Sequence, residues 1–156
     1  MKANIGISEE HLKQVALALN KVLADLTILY TKTRNYHWNV EGDNFMEMHK
    51  FYEEQYNELA ETIDEVAERI RMLGHFAEGR LADYLKLTSL LEQEYTNDQQ
   101  QQLNNLLVDH ETVIRSLRGL IDELEEKYKD KGTADFITGL LRQHEKMAWM
   151  IRAYLK

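Results

Sequence analysis

HWNVEGDNFMEMHKFYEEQYNELAETIDEVAE, residues 37–68, decides how this chain is read. His37-Trp38-Asn39-Val40 opens the stretch, His49 follows, and Asp64 and Glu68 lie one helical turn apart near its end. Two imidazoles and two carboxylates form a mixed nitrogen and oxygen donor set of the kind that suits iron, manganese or zinc. Gly42-Asp43 interrupts the pattern, so His37 closes one helix and His49 belongs to the next.

The flanking sequence is helical throughout. Pro is absent and the seven Gly fall mostly at breaks. Ser8 is expected to cap a first helix running to about His37, with Glu9 and Glu10 in its first turn. Asp43 is expected to cap a second through Leu73, stopped by Gly74. Thr96 and Gln99 have capping-box spacing for a third, from Asn97 to about Lys129, and Thr133 is expected to cap a fourth that reaches the C-terminus. The link from His75 to Thr96 is too long for a tight turn, and Leu81 to Leu91 is apolar enough for a short extra helix. The expected fold is all-α: one domain over residues 1–156, a ferritin-like four-helix bundle with a short helix in the long crossover between helices two and three.

Spacing limits what the candidate ligands can do. A bundle that holds two metals internally takes Glu-x-x-His pairs from two helices. Here Met46, Met72, Leu107 and Leu141 stand three residues before His49, His75, His110 and His144, so that motif is missing. His49, Glu53, Asp64 and Glu68 share a helix face, yet His49 and Asp64 are about 22 Å apart at 1.5 Å per residue. They cannot bind one ion within a chain. Two copies of the second helix packed antiparallel about a two-fold axis near Asn57 bring His49 of one opposite Asp64 and Glu68 of the other, making two equivalent sites. His37 could reach the same site across the short link. Against this, Glu54, Glu58, Glu61 and Glu65 crowd the same helix, and acid-rich helix faces are most often simply solvated.

Composition narrows the class further. Cys is absent, which excludes thiolate metal sites and disulfides, and there is no apolar run long enough to span a membrane. Met1 to Ser8 lacks the pattern of a signal peptide, so a cytoplasmic protein is expected. The net charge of −8 argues against a nucleic-acid backbone as main ligand and is compatible with attracting cations.

The motif His37-Trp38-Asn39-Val40-x-Gly42-x-x-Phe45-x-x-x-His49, with Asp64-Glu65-Val66-Ala67-Glu68-Arg69-Ile70 and Leu73-Gly74, closely resembles the Dps family of ferritin-like mini-ferritins. Thr133-Ala134-Asp135 and Lys146-Met147-Ala148-Trp149-Met150 extend the likeness more loosely. The resemblance implies a hollow dodecamer with ferroxidase centres at two-fold interfaces. His37 and His49 of one subunit would face Asp64 and Glu68 of its partner. Glu53 stands where many members have Asp and is a candidate ligand for a second iron. Trp38 lies beside the site in such proteins, either taking part in electron transfer or packing at the interface. The implied activity is oxidation of Fe(II), with hydrogen peroxide as the usual oxidant, and storage of ferric mineral, which protects against oxidative damage. Protons would compete with iron for the imidazoles, so acid should weaken binding. Asp135, with Glu126 and Asp130 nearby, is a candidate for an acidic three-fold pore.

Many Dps proteins bind DNA through Lys-rich tails, and this chain departs from that pattern. Lys2 is the only Lys or Arg before Leu12, and only Lys156 follows Leu155. DNA binding is expected to be weak or absent. The alternative function is a nucleoid-packing DNA-binding protein without iron chemistry. A second rival is an oxygen-activating di-iron enzyme with an organic substrate, which the missing Glu-x-x-His pairs oppose.

Overall fold

A computed structural model describes residues 3–156; Met1 and Lys2, and with them the single N-terminal cation, lie outside the described residues. Five helices follow one another: α1 (Glu9–Asn39), α2 (Phe45–Met72), α3 (Leu81–Leu87), α4 (Gln99–Glu126) and α5 (Lys131–Tyr154). Among the described residues there is no strand. The four long helices form the bundle and α3 sits in the crossover, as the apolar periodicity predicts.

Helix starts follow the local chemistry of oxygen donors at exposed N–H groups. The Ser8 hydroxyl accepts from the His11 amide at 3.3 Å, as expected. The other three caps differ from the reading above. Phe45 N–H donates to the Gly42 carbonyl at 3.1 Å, and this tight turn moves the N-cap of α2 from Asp43 to Asn44. Asp98 caps α4, accepting from Gln101 N–H at 2.7 Å, in place of Thr96. Asp130 caps α5, accepting from Thr133 N–H at 2.9 Å, in place of Thr133. In both corrected cases a carboxylate next to the positive end of the helix dipole replaces a neutral hydroxyl. At the far end of α2, Gly74 adopts φ +86°, the left-handed cap that only Gly takes without strain.

Paired side chains fix the register. Tyr30 meets Tyr56 and Tyr36 meets Tyr52 across α1 and α2. Lys32 pairs with Asp109, and Asn105 donates to the Tyr36 hydroxyl, across α1 and α4. His110 meets His144 across α4 and α5. All three pairs of helices are antiparallel, so α2 and α4 run in the same direction and the crossover must traverse the bundle. Gln55, between Tyr52 and Tyr56 on the core stripe of α2, is level with Lys32 and Asp109.

The core is a Leu-rich column including Leu12, Leu19, Leu26, Leu59, Leu106 and Ile137, all 0% exposed. Three of the buried polar residues of α1, Asn20, Asp25 and Lys32, meet the crossover. Asn20 accepts from Glu78 N–H at 2.8 Å. Asp25 accepts from Ser89 N–H at 2.7 Å and from the Thr88 hydroxyl at 2.8 Å. Lys32 donates to the Leu91 carbonyl at 2.6 Å as well as pairing with Asp109. A buried charge without such partners is strongly destabilising, so these contacts explain why polar groups occupy core positions.

Candidate metal centre

His37 stands in the last turn of α1 and His49 in the second turn of α2, and the short link folds one ring onto the other. The imidazoles stack with centroids 3.7 Å apart and planes 16° from parallel. Each ring is held by the other residue's backbone. His37 Nδ1 donates to the His49 carbonyl at 2.7 Å, and His49 Nδ1 donates to the His37 carbonyl at 2.8 Å. A carbonyl can only accept, so both Nδ1 atoms carry protons, and Nε2 is the atom left to bind a metal when either ring is neutral. That is the tautomer a metal-binding histidine needs, fixed by backbone oxygens behind the ring.

Aromatic rings hold the pair in place. Phe45 stacks on the outer side of His49 at 5.1 Å, and Tyr56 meets His37 edge-on at 5.2 Å. Arg34 lies over Tyr30 at 5.4 Å and over Trp38 at 4.8 Å. Trp38 is 61% exposed and lines a cleft of about 410 Å³ with Tyr95 and Asn39, a cleft whose lining includes neither His37 nor His49.

The acids lie elsewhere. Glu53, Asp64 and Glu68 are exposed on α2, which runs unbroken from Phe45 to Met72, so His49 and Asp64 remain about 22 Å apart along its axis. None of the three enters an ion pair among the described residues. No group of three His, Asp or Glu side chains converges within the described residues of one chain. The structure thus brings His37 and His49 together and keeps both apart from the Asp64 and Glu68 pair.

The three acids near the α4–α5 junction also separate. Glu126 ends α4 and is exposed, and Asp135 is exposed in the second turn of α5. Asp130 is buried and committed: besides capping α5 it lies 3.6 Å from Arg69 and accepts the Thr133 hydroxyl. Sequence reading did not foresee the carbonyl clamp, the Arg34 contacts or the His110–His144 pair. The clamp had a signal in the short His37-to-His49 separation across a Gly turn. The buried pair had one in two histidines falling on core stripes.

The chain is similar to known proteins along nearly its whole length. The family model described as a ferritin-like domain matches residues 16–156. An uncharacterized low temperature-induced protein of Nostoc sp. is 40% identical, covering 99% of this chain and 87% of the relative. The DNA protection during starvation protein 2 of Bacillus anthracis is 36% identical over 92% of this chain and 97% of its own length. Among solved structures, a Dps protein from Vibrio cholerae O1, described as a member of a broad superfamily of ferritin-like diiron-carboxylate proteins, aligns with a TM-score of 0.93 at 33% identity, covering 100% and 98% of the two chains. A Dps protein from Bacillus brevis aligns with a TM-score of 0.91 at 31% identity, covering 96% and 100%. The fold is that of the ferritin-like proteins. Within that class, the chain belongs to the Dps family.

Proposed function

We propose that this chain is the subunit of a hollow homo-oligomer, a dodecamer, that oxidises Fe(II) at centres shared between two subunits and stores the ferric product. The observation that carries this is the histidine clamp. It fixes two adjacent Nε2 donors, while the matching carboxylates lie a helix length away on the same chain. In the proposed centre His37 and His49 of one protomer would face Asp64 and Glu68 of another, with Glu53 a candidate for a second ferrous ion. Two imidazoles and two carboxylates compensate the charge of a ferrous ion and suit its preference for mixed N/O donors.

The oxidant proposed is hydrogen peroxide. Two ferrous ions give one electron each, the O–O bond breaks, and two hydroxide ions result, with no hydroxyl radical released. The protein's part is to hold the ions as a pair, so that both electrons are available together. Ferric ions then hydrolyse to mineral inside the shell. Trp38, next to His37 in the chain, would pack at the subunit interface or supply an electron. Glu126 and Asp135 would line the entry for iron, whereas Asp130 holds α5 in place. The net charge of −8 supports iron handling over DNA packing, with weak or absent DNA binding. No helix among the described residues is long and apolar enough to cross a membrane, which fits the proposed site of action in the cytoplasm.

Anaerobic titration with Fe(II), followed by peroxide in stoichiometric amount, tests this reading. Saturable binding, oxidation faster than in protein-free buffer and an assembly of dodecamer mass are expected. Equal oxidation rates with and without protein would overturn it.

A further inference from the structure

Helix α3 is seven residues long and buries none of them. An isolated helix needs about 12–15 residues to be even marginally stable in water, so α3 relies on packing. One side lies on α1, where Tyr84 sits beside Thr27. The other side is bare: Leu81 is 75% exposed and Leu85 54%. Further along α1, the cleft of about 410 Å³ lies open between Thr31, Asn35 and Trp38 on one wall and Glu92, Glu94 and Tyr95 of the crossover on the other. Helix and cleft share one face of α1, because Asn20, Ala24, Thr27, Thr31, Asn35 and Trp38 recur every three or four residues. α3 occupies the first half of that face and leaves the second half open.

Position relates the two features. Tyr30 meets Tyr56, so a two-fold axis near Asn57 crosses α1 at the level of Tyr30. The crossover meets Asn20 through Glu78, before α3, and Asp25 through Ser89, after it. α3 is therefore centred about 10 Å from the axis level, toward the start of α1, at 1.5 Å per residue. Rotation about the axis carries a partner's α3 the same distance to the other side, level with the stretch from Asn35 to Trp38 that lines the cleft. We propose that the cleft is the docking site for α3 of a second copy of this chain, with Leu85 entering at Asn35 and Leu81 against Trp38. The placement rests on the two-fold arrangement proposed above for the iron centre, and the contact occurs twice in each interface with the roles exchanged.

Charge agrees with this occupant. Glu92 and Glu94 are exposed on the cleft wall and enter no ion pair among the described residues. Arg80 and Lys86, exposed at either end of α3, share the single carboxylate of Asp83, so the docking helix carries a net positive charge toward that wall. Leucines set beside the Trp38 and Tyr95 rings would also remove from water apolar surface that one chain leaves exposed.

The chain has no Cys, so paired substitutions report the contact directly. On oxidation, Leu85→Cys/Asn35→Cys should form a disulfide between chains, seen as a band at twice the chain mass on a non-reducing gel. Within one chain the two positions are roughly 15 Å apart along α1, beyond the reach of a disulfide. Asn57→Cys, exposed near the axis, is the control for the two-fold arrangement itself and should link to its own copy. A linked Asn57→Cys with an unlinked Leu85→Cys/Asn35→Cys would overturn the docking of α3 and leave the shared iron centre standing. Absence of both crosslinks would overturn the two together. Leu81→Asp/Leu85→Asp gives a second measurement, because both positions are exposed in the single chain. Helix content by circular dichroism should match wild type while the mass in sedimentation falls through loss of the two-fold contact. Wild-type mass with unchanged helix content would overturn the inference.

Discussion

His37 and His49 hold each other's rings by donating from Nδ1 to the partner residue's backbone carbonyl, at 2.7 and 2.8 Å. The relationship ties the end of α1 to the start of α2 and holds the two imidazoles as one unit. The His37 carbonyl lies in the last turn of α1, where backbone acceptors have no helical partner, so the His49 ring also satisfies an end of the helix. The same contact that orients each ring stabilises the turn that carries it.

A centre divided between subunits makes a specific complementation prediction. Homo-oligomers of His49→Ala and of Glu68→Ala should each oxidise iron slowly, because every site lacks a ligand. Co-assembled from an equal mixture, half of the two-fold interfaces pair unlike chains, and one of the two sites in each such interface is intact, so about a quarter of wild-type activity should return. Mixed assemblies no more active than their parents would place all ligands in one chain and refute the shared centre.

The buried pair of Lys32 and Asp109 should behave as a single unit. Asp109→Ala leaves the Lys32 ammonium buried without its counter-charge and should destabilise the fold by about 3–5 kcal/mol. Lys32→Met/Asp109→Leu removes both charges and should recover much of that loss, because burial disfavours the charged carboxylate even beside Lys32. Chemical denaturation of the three proteins checks this. A double variant as unstable as Asp109→Ala would show that the lysine's contact with the Leu91 carbonyl, rather than ion pairing, dominates.

How legible these features were in the sequence follows from their range. Helix periodicity is local, so the four long helices could be read from Leu and Val spacing, and the crossover from the length of the link between His75 and Thr96. Caps depend on which of two or three adjacent oxygen-bearing residues the turn presents. Asp98 and Asp130 prevailed over Thr96 and Thr133 because a carboxylate gains from the helix dipole as well as from the hydrogen bond. The roles of Asn20, Asp25 and Lys32 on a core face were not legible, because their partners lie 58, 64 and 77 residues away. The separation of His49 from Asp64 was legible as simple helix arithmetic. The short His37-to-His49 separation across a Gly turn signalled that the two rings meet, but no pattern of residue types records which backbone oxygen each ring bonds.

Asp130 and Asp135, five residues apart, should give opposite phenotypes. Asp130→Ala removes the α5 cap and the Arg69 contact and should cost about 1–2 kcal/mol of stability. Asp135→Asn changes an exposed group and should leave the Tm nearly unchanged while slowing growth of the mineral core. Ferrous binding at the oxidation centre should be unaltered by Asp135→Asn. A core that grows at the wild-type rate would remove Asp135 from the entry path.

Acid should loosen the α4–α5 contact through His110 and His144. Burial lowers the His144 imidazole from 6.5 to about 4 and pushes His110 well down, with each other's charge adding to the effect on His110. The unfolded chain therefore binds protons that the folded one refuses between those values, and stability must fall as pH drops through this window. The slope is about 1.4 kcal/mol per pH unit for each buried histidine, on the order of 3 kcal/mol for His144 by pH 4. His144→Gln keeps a hydrogen-bonding group and removes one titrating ring. Its Tm should be lower than wild type at pH 7.5 yet decline less steeply between pH 6.5 and 4. Parallel Tm–pH curves for the two proteins would show that acid acts elsewhere in the bundle.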